Sequence, residues 1–403
     1  MQRTVWTGLC LLACCTLQAE DSPQFRGVAG QGHSAETGLP TEWSEDRNIV
    51  WKAEIPGLGW SSPVIQGGSL WLTTAVDEGK SLRVLRLDPK TGQITLDKEV
   101  FHHDTPGKVH KKNSYASPSA IVEGSFVYVH FGRLGTACLT TEGEIVWKKQ
   151  LAYEHRHGPA GSPVLFNDLL ILACDGTDVQ YVIALDKKTG EEVWKTPREG
   201  RMAYSTPLVT EVEGKPQVIA PGGEWVQAYD PLTGKEIWRF NWPKGYSVVP
   251  RPVVGHGMTF VSSSYDSPTL YAIRLGGSGD ITESHLAWKL SRGAPHNPSA
   301  LLVGDELYLV SDKGIVTCVD ARTGEQHWQE RLGGNFSASP LFADGKIYLL
   351  DEEGLTTVLA PGKEFRQLAQ NQLPGRSLSS IAAHDSALFL RTDTHLYRLD
   401  DPQ

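Results

Sequence analysis

The sequence predicts an all-β fold: an eight-bladed β-propeller of four-stranded antiparallel blades, closed by an N-terminal strand that completes the last blade. Three observations predict it. One unit recurs at 40 to 57 residues, each unit alternates like successive strands, and an orphan strand near the start matches an unfinished unit at the end.

Each unit opens on a small-polar step into an apolar run: WSSPVI at 60, YASPSAIV at 115, AGSPVLF at 160, YSTPLV at 204, VPRPVV at 249, NPSALLV at 297, SASPLF at 337 and LSSIAA at 378. A second alternating run follows a Gly or Asp turn, as in GGSLWLTT, NDLLILAC and GDELYLVS, so the first two strands form an inner hairpin. The third run ends at an acid before a turn, as in LDKKTGEEVW, YDPLTGKEIW and VDARTGEQHW. There Gly190, Gly234 and Gly324 each stand four residues before a Trp, and Gly143 stands likewise before Trp147. Gly suits the left-handed position of such a turn, and the Asp side chain bonds its backbone. The recurring Trp is expected to fill the interface between neighbouring blades. The eighth unit stops at LYRLD, whereas NIVWKAEI at 48–55 is an outer strand without a blade; pairing the two closes the ring and removes both sheet edges. The propeller is thus expected over 48–400, with residues 20–47 an extension wrapped around its outside and 401–403 a short tail.

Residues 1–19 read as an export leader. Arg3 precedes the apolar run VWTGLCLLACCTL, which is too short to anchor in a bilayer, and Ala19 offers a small residue for cleavage. A second reading takes Leu11-Leu12-Ala13-Cys14 as a lipidation signal, which would tether the protein through Cys14. Both lead to an exported protein, periplasmic or secreted in the first case and lipid-anchored to the envelope in the second. Cleavage leaves Cys138, Cys174 and Cys318 of the six cysteines, all in strand-like contexts that read as buried apolar positions rather than a disulfide framework. Loss of Arg3 takes the formal net charge of -9 to -10. An acidic chain without a basic run excludes nucleic acid and anionic membrane surfaces as partners.

In such a blade, the segment before the innermost strand and the turn between the second and third strands open onto one face. The first set supplies Trp60, Asn113, Tyr115, His157, Arg201, Tyr204, Tyr246, Arg251, His296, Asn335, Phe336 and Arg376. The second supplies Arg133, Asp175, Asp178, Glu224, Tyr265, Asp266, Asp312, Glu352 and Asp393. This mixture of imidazole, guanidinium, phenol and carboxylate makes the face the candidate ligand site. His157 and His296 are either partners for a shared ligand or ordinary satisfied histidines. Arg201, Arg251 and Arg376 are either anion clamps or structural partners of acids between blades. The long connection 102–117 reads as a lid over the funnel or as a solvated loop. No nucleophile elbow, P-loop or His pair at metal spacing is present, so no catalytic residue is assigned and any metal is left open.

The blade unit, with its VIALDKKTGEEVW-like end, resembles the pyrroloquinoline-quinone (PQQ) repeat shared by quinoprotein alcohol dehydrogenases and the outer-membrane assembly factor BamB, over residues 48–400. The opening PQFRGVAGQGHSAETGLPTEWSEDRNIVWKAEIPGLGWSSPVI is similar to a subgroup of secreted propeller proteins abundant in planctomycete-like bacteria. For the dehydrogenases the resemblance implies PQQ stacked between a Trp and a vicinal disulfide, calcium held by Glu, Asn and Asp, and an Asp base. A chain cleaved after Ala19 has no adjacent cysteines, and no stretch matches the calcium or base motifs. The expectation is therefore a monomeric binding or scaffold propeller that docks a protein, peptide or glycan. The alternative is an oxidoreductase dependent on PQQ or another cofactor, using the charged funnel.

Overall fold

The computed structural model describes residues 20–401. The export leader, Ala19 and Cys14 lie outside the described residues.

Eight antiparallel sheets follow one another around the ring. Blades 1 to 8 start with the inner strands Val64–Gln66, Ile121–Glu123, Val164–Phe166, Leu208–Val212, Val253–Gly255, Leu301–Val303, Leu341–Ala343 and Ala382–His384. In the first seven, the strands are hydrogen-bonded from inner to outer in sequence order. Blade 8 takes its outer strand, Ile49–Glu54, from the N-terminal side, in register with His395–Asp400 through pairs such as Lys52↔Tyr397 and Glu54↔His395. The orphan strand thus fills the edge that the sequence assigned to it. Blade 4 carries a short fifth strand, Gly279–Asp280, parallel to Glu236–Asn241.

Burial follows position in the blade. Strands such as Leu169–Asp175 are covered on both faces and are apolar up to the terminal Asp175, whereas the outer strand Ile94–His102 alternates between covered and solvent-facing residues over most of its length. There is no single core. The buried apolar residues fall into eight clusters, and each lies between two neighbouring blades, from blades 1 and 2 around to blades 8 and 1. The outer-strand tryptophans seal these layers. Trp147 donates its indole N–H to the Lys187 carbonyl of the next blade at 3.0 Å, Trp194 to Pro231 at 2.9 Å, Trp288 to Ala321 at 3.1 Å and Trp51 to Pro89 at 3.0 Å. The turn glycine of the next blade makes room for the ring. A Cβ at Gly190 (φ +74°) would stand 2.6 Å from Trp147, and one at Gly92 (φ +73°) 2.7 Å from Trp51.

The extension 20–47 does not wrap the outside, as expected, but crosses the end of the ring opposite the funnel. It bonds blade 1 through Ser22 and Ile65, blade 2 through Pro23 and Val122, blade 5 through Gln31 and Val254, blade 6 through Arg26 and Ala300, and blade 7 through Ser34 and Phe342. These partners sit at the tips of the inner hairpins, where the central channel would otherwise be open. Phe25 enters the channel itself. A segment without a repeat partner in the sequence therefore forms the base of the propeller.

Candidate functional site

The innermost strands converge on a belt of hydroxyls. The backbone N–H of Ser62 donates to Ser119 Oγ, that of Ser119 to Ser162 Oγ and that of Ser162 to Thr206 Oγ1, each at 2.9 Å. On the other side Arg251 N–H donates to Ser299 Oγ at 2.9 Å, Ser299 to Ser339 at 3.0 Å, Ser339 to Ser380 at 2.9 Å and Ser380 back to Ser62 at 3.1 Å. Seven blades contribute a hydroxyl and blade 5 contributes Arg251, so the belt is broken only between Thr206 and Arg251. These residues are the small-polar step that opens every repeat. Its recurrence was visible, but a repeated Ser reads as packing until the ring closes it into a circle.

Above the belt opens a funnel of about 880 Å³ with Phe25 at its base and Trp60, Asn113, His157, Tyr204, Tyr265 and His296 among its walls. These six of the sequence-predicted residues do share one space. Two runs of rings line the wall: His110 to His157 at 5.4 Å between centroids and His157 to Tyr204 at 5.9 Å, then Tyr246 to Tyr265 at 5.3 Å and Tyr265 to His296 at 6.1 Å. Burial, with help from His110 and then Arg156, lowers the pKa of His157, so its imidazole is neutral at pH 7. Tyr265 keeps 53% of its surface exposed at the rim. Asp312, which the sequence places on this face, also lines the funnel, as do His110 and Lys112 of the connection 102–117; Asn297 lines it too and was not drawn from the sequence.

The other predicted residues hold the scaffold. Asp175 is buried and accepts both Nε and Nη2 of Arg198. Asp178 accepts the Glu154 N–H at 2.8 Å, and Asp266 the Tyr246 hydroxyl at 3.2 Å. Arg201 lies over the Tyr246 ring at 3.8 Å. Arg133 donates to the Pro106 carbonyl at 2.9 Å, Tyr115 to that of Gly107 at 2.6 Å, and Asn335 accepts from Lys313 at 3.1 Å. Arg251 turns away from the funnel altogether. It is buried, donates to the Pro207 and Phe25 carbonyls, and pins the extension to the base.

Connection 102–117 is a strap rather than a solvated loop. Lys112 Nζ reaches Glu352 of blade 7 at 2.6 Å, and Arg376 of blade 8 donates to the Lys111 carbonyl at 3.2 Å while lying over Trp60 at 5.8 Å. Glu352, only 4% exposed, also accepts Ser337 Oγ at 2.7 Å. At the other end Asn113 donates to the carbonyls of His157 and Pro159. The strap ties blades 7 and 8 to the connection between blades 2 and 3 along the funnel rim.

The residues present do not fit the calcium–quinone arrangement that the resemblance implies. Among the described residues Asp312 is the one carboxylate on the funnel wall, and it already accepts the N–H groups of His296 and Asn297 and the Asn297 side-chain amide. Among the described residues no three His, Cys, Asp or Glu side chains gather as a metal set, while calcium calls for six to eight oxygens. Cys138, Cys174 and Cys318 are buried, unpaired and separate, and burial pushes the thiols of Cys138 and Cys318 up to about 12, out of the reactive range.

Fold and site together define a PQQ-repeat-type propeller with a closed base and a ligand-sized funnel. Residues 136–214 and 222–400, well over half of the chain, match the family described as outer membrane protein assembly factor BamB, and the protein belongs to that family. It is similar to the quinoprotein ethanol dehydrogenase of Pseudomonas putida, 28% identical over 284 residues, which are 66% of this chain and 39% of that one. It is also similar to the outer membrane protein assembly factor BamB of Legionella pneumophila (strain Paris), 22% identical over 205 residues and 50% of each chain. The chain thus spans half or less of the length of these relatives. Among solved structures, BamB from Moraxella catarrhalis shares the fold with a TM-score of 0.64 at 15% identity, covering 87% of this chain and 97% of that one.

Proposed function

We propose that the protein is a binding propeller of the bacterial envelope whose funnel face docks an extended segment of a partner protein. The observation that carries this reading is the funnel itself: a space of about 880 Å³, walled by rings and floored by hydroxyls, with its single carboxylate already committed. Rings with polar tips and neutral hydroxyls suit a chain of mixed side chains and carbonyls, as recognition surfaces rich in Tyr and Ser do. Exposed Leu58, Val179 and Tyr265 add apolar footholds. The printed role of the BamB relatives, assembly of outer membrane proteins, supports a protein partner over a glycan and an envelope location over a cytoplasmic one.

The quinone-dependent oxidoreductase keeps one argument, the similarity to a quinoprotein ethanol dehydrogenase. A photo-crosslinking residue at position 265, set against one at the outer-strand residue Val193, separates the two readings. A specific protein adduct from position 265 alone, weakened at least tenfold by His157→Ala with an unchanged melting temperature, is the expected result. Calcium-dependent dye reduction with an alcohol after addition of PQQ, and no adduct, would overturn the binding role.

A further inference from the structure

Beneath the hydroxyl belt, on the side away from the funnel, lies a second and much smaller cavity of about 20 Å³. It shares Ser62 and Ser380 with the funnel floor and is otherwise walled by the extension, including Ser22, Arg26, Gly32, His33 and Ser34, and by apolar surface such as Pro340. Arg26 is only 7% exposed. Its Nη2 donates to the carbonyls of Ala300 at 2.7 Å and Gln31 at 3.0 Å, but Nε and Nη1 are buried and have no acceptor. Gly32 holds the space open, because a Cβ there would stand 2.6 Å from Nη2 and 3.1 Å from Nε of Arg26. Ser62 and Ser380 each accept a backbone N–H and, among the described residues, donate to nothing, so both hydroxyl hydrogens are free to turn toward the cavity.

The charges are as unbalanced as the hydrogen bonds. Arg251, the second buried guanidinium at the base, is bonded to carbonyls alone, and neither it nor Arg26 lies within 4.0 Å of a carboxylate among the described residues. Two buried cations without a counter-ion are destabilising, and unanswered buried N–H donors add to that cost. A cavity of this size admits about one water-sized or monatomic occupant. We propose that it is a binding site for a single chloride-class anion, held by Nε and Nη1 of Arg26 and by the hydroxyls of Ser62 and Ser380. The anion answers the open donors, neutralises part of the buried charge and locks the extension onto the base of the ring. A water would answer some of the donors but none of the charge.

Bromide is the probe. In crystals of the chain grown in bromide, anomalous scattering is expected to show one ordered ion against the Arg26 guanidinium; ordinary water density there without an anomalous peak overturns the proposal. In solution, the melting temperature at constant ionic strength is expected to stand roughly 2 °C higher in chloride or bromide than in gluconate, which is too large for the cavity. Arg26→Gln is expected to abolish that difference, and its persistence in the variant would overturn the site. Where Arg26→Gln does not fold, the bromide map decides alone.

Discussion

Asp175 and Arg198 show what a single residue means once its neighbours are known. In the sequence, Asp175 ends the strand LLILACD at the expected funnel face and reads as a ligand group. In the structure its side chain is 2% exposed and bound at both oxygens by Arg198, which is 1% exposed and also donates to the Ala220 carbonyl at 2.7 Å. Burial raises the carboxyl pKa of Asp175, and the adjacent guanidinium opposes that rise. The bridge joins blade 3 to blade 4 and stays out of the funnel. Asp175→Asn strands a buried cation and is expected to cost about 3–5 kcal/mol in urea unfolding, whereas Asp175→Leu with Arg198→Met recovers most of that loss. A ligand role for Asp175 would instead show as weakened docking at unchanged stability. Arg198 was beyond reach of the sequence reading because nothing local ties it to a residue 23 positions earlier.

At the scale of elements, what repeats was readable and what crosses the ring was not. Inner hairpins, Asp-to-Gly turns and outer tryptophans announce themselves because each rests on contacts within one unit or with the next. The strap 102–117 depends on partners such as Glu352, 240 residues from Lys112, and its length alone left both lid and solvated loop open. The same holds for the second strand of blade 2, Phe126–His130, and the connection after that blade, where His130 is buried and His155 half-buried. His130 meets Thr136 Oγ1 at 2.8 Å and Tyr153 Oη at 3.1 Å, while both ring nitrogens of His155 are buried without a partner. Burial lowers their pKa to about 3 and about 4 respectively. Both folded-state values lie below the unfolded value, so below pH 6.5 the unfolded chain takes up protons that the folded chain refuses. Stability is therefore full above pH 6.5 and falls as the pH drops, by about 2 kcal/mol per imidazole at pH 5. His155→Leu removes one titrating group and sacrifices no hydrogen bond. It is expected to halve the loss between pH 7 and pH 5 that these two groups cause, measured by urea unfolding at both values. An unchanged pH slope would place the acid sensitivity elsewhere.

The whole molecule is a ring of eight inter-blade layers, and its two non-repeating devices, closing strand and base, come from adjacent stretches of chain. The closure was legible because an incomplete last unit and an orphan strand each lack what the other supplies. The base was not, since residues 20–47 carry no periodicity and gain their order only from hairpin tips contributed by distant blades. Trp43 is an example: buried against Tyr348 with ring centroids 6.3 Å apart, it donates its backbone N–H to Asn371, 328 residues away. Two truncations distinguish what the devices do. Starting the chain at residue 48 removes the base but leaves blade 8 with its four strands and an outer edge on Ile49–Glu54 like that of the other blades. Starting it at residue 55 also removes Ile49–Glu54 and exposes the edge of His395–Asp400 together with the packing of Trp51 on Phe389. Loss of the base is expected to lower the melting temperature while the protein stays monomeric, because the hairpin tips it uncovers are turns with little unpaired strand. Loss of the closing strand leaves a row of unpaired backbone groups on an apolar blade, which invites pairing with another chain. That variant is expected to melt lower still and to form dimers or larger species in light scattering at concentrations where the first remains single. Equal association by both truncations would mean that the base, and not the closing strand, protects the ring.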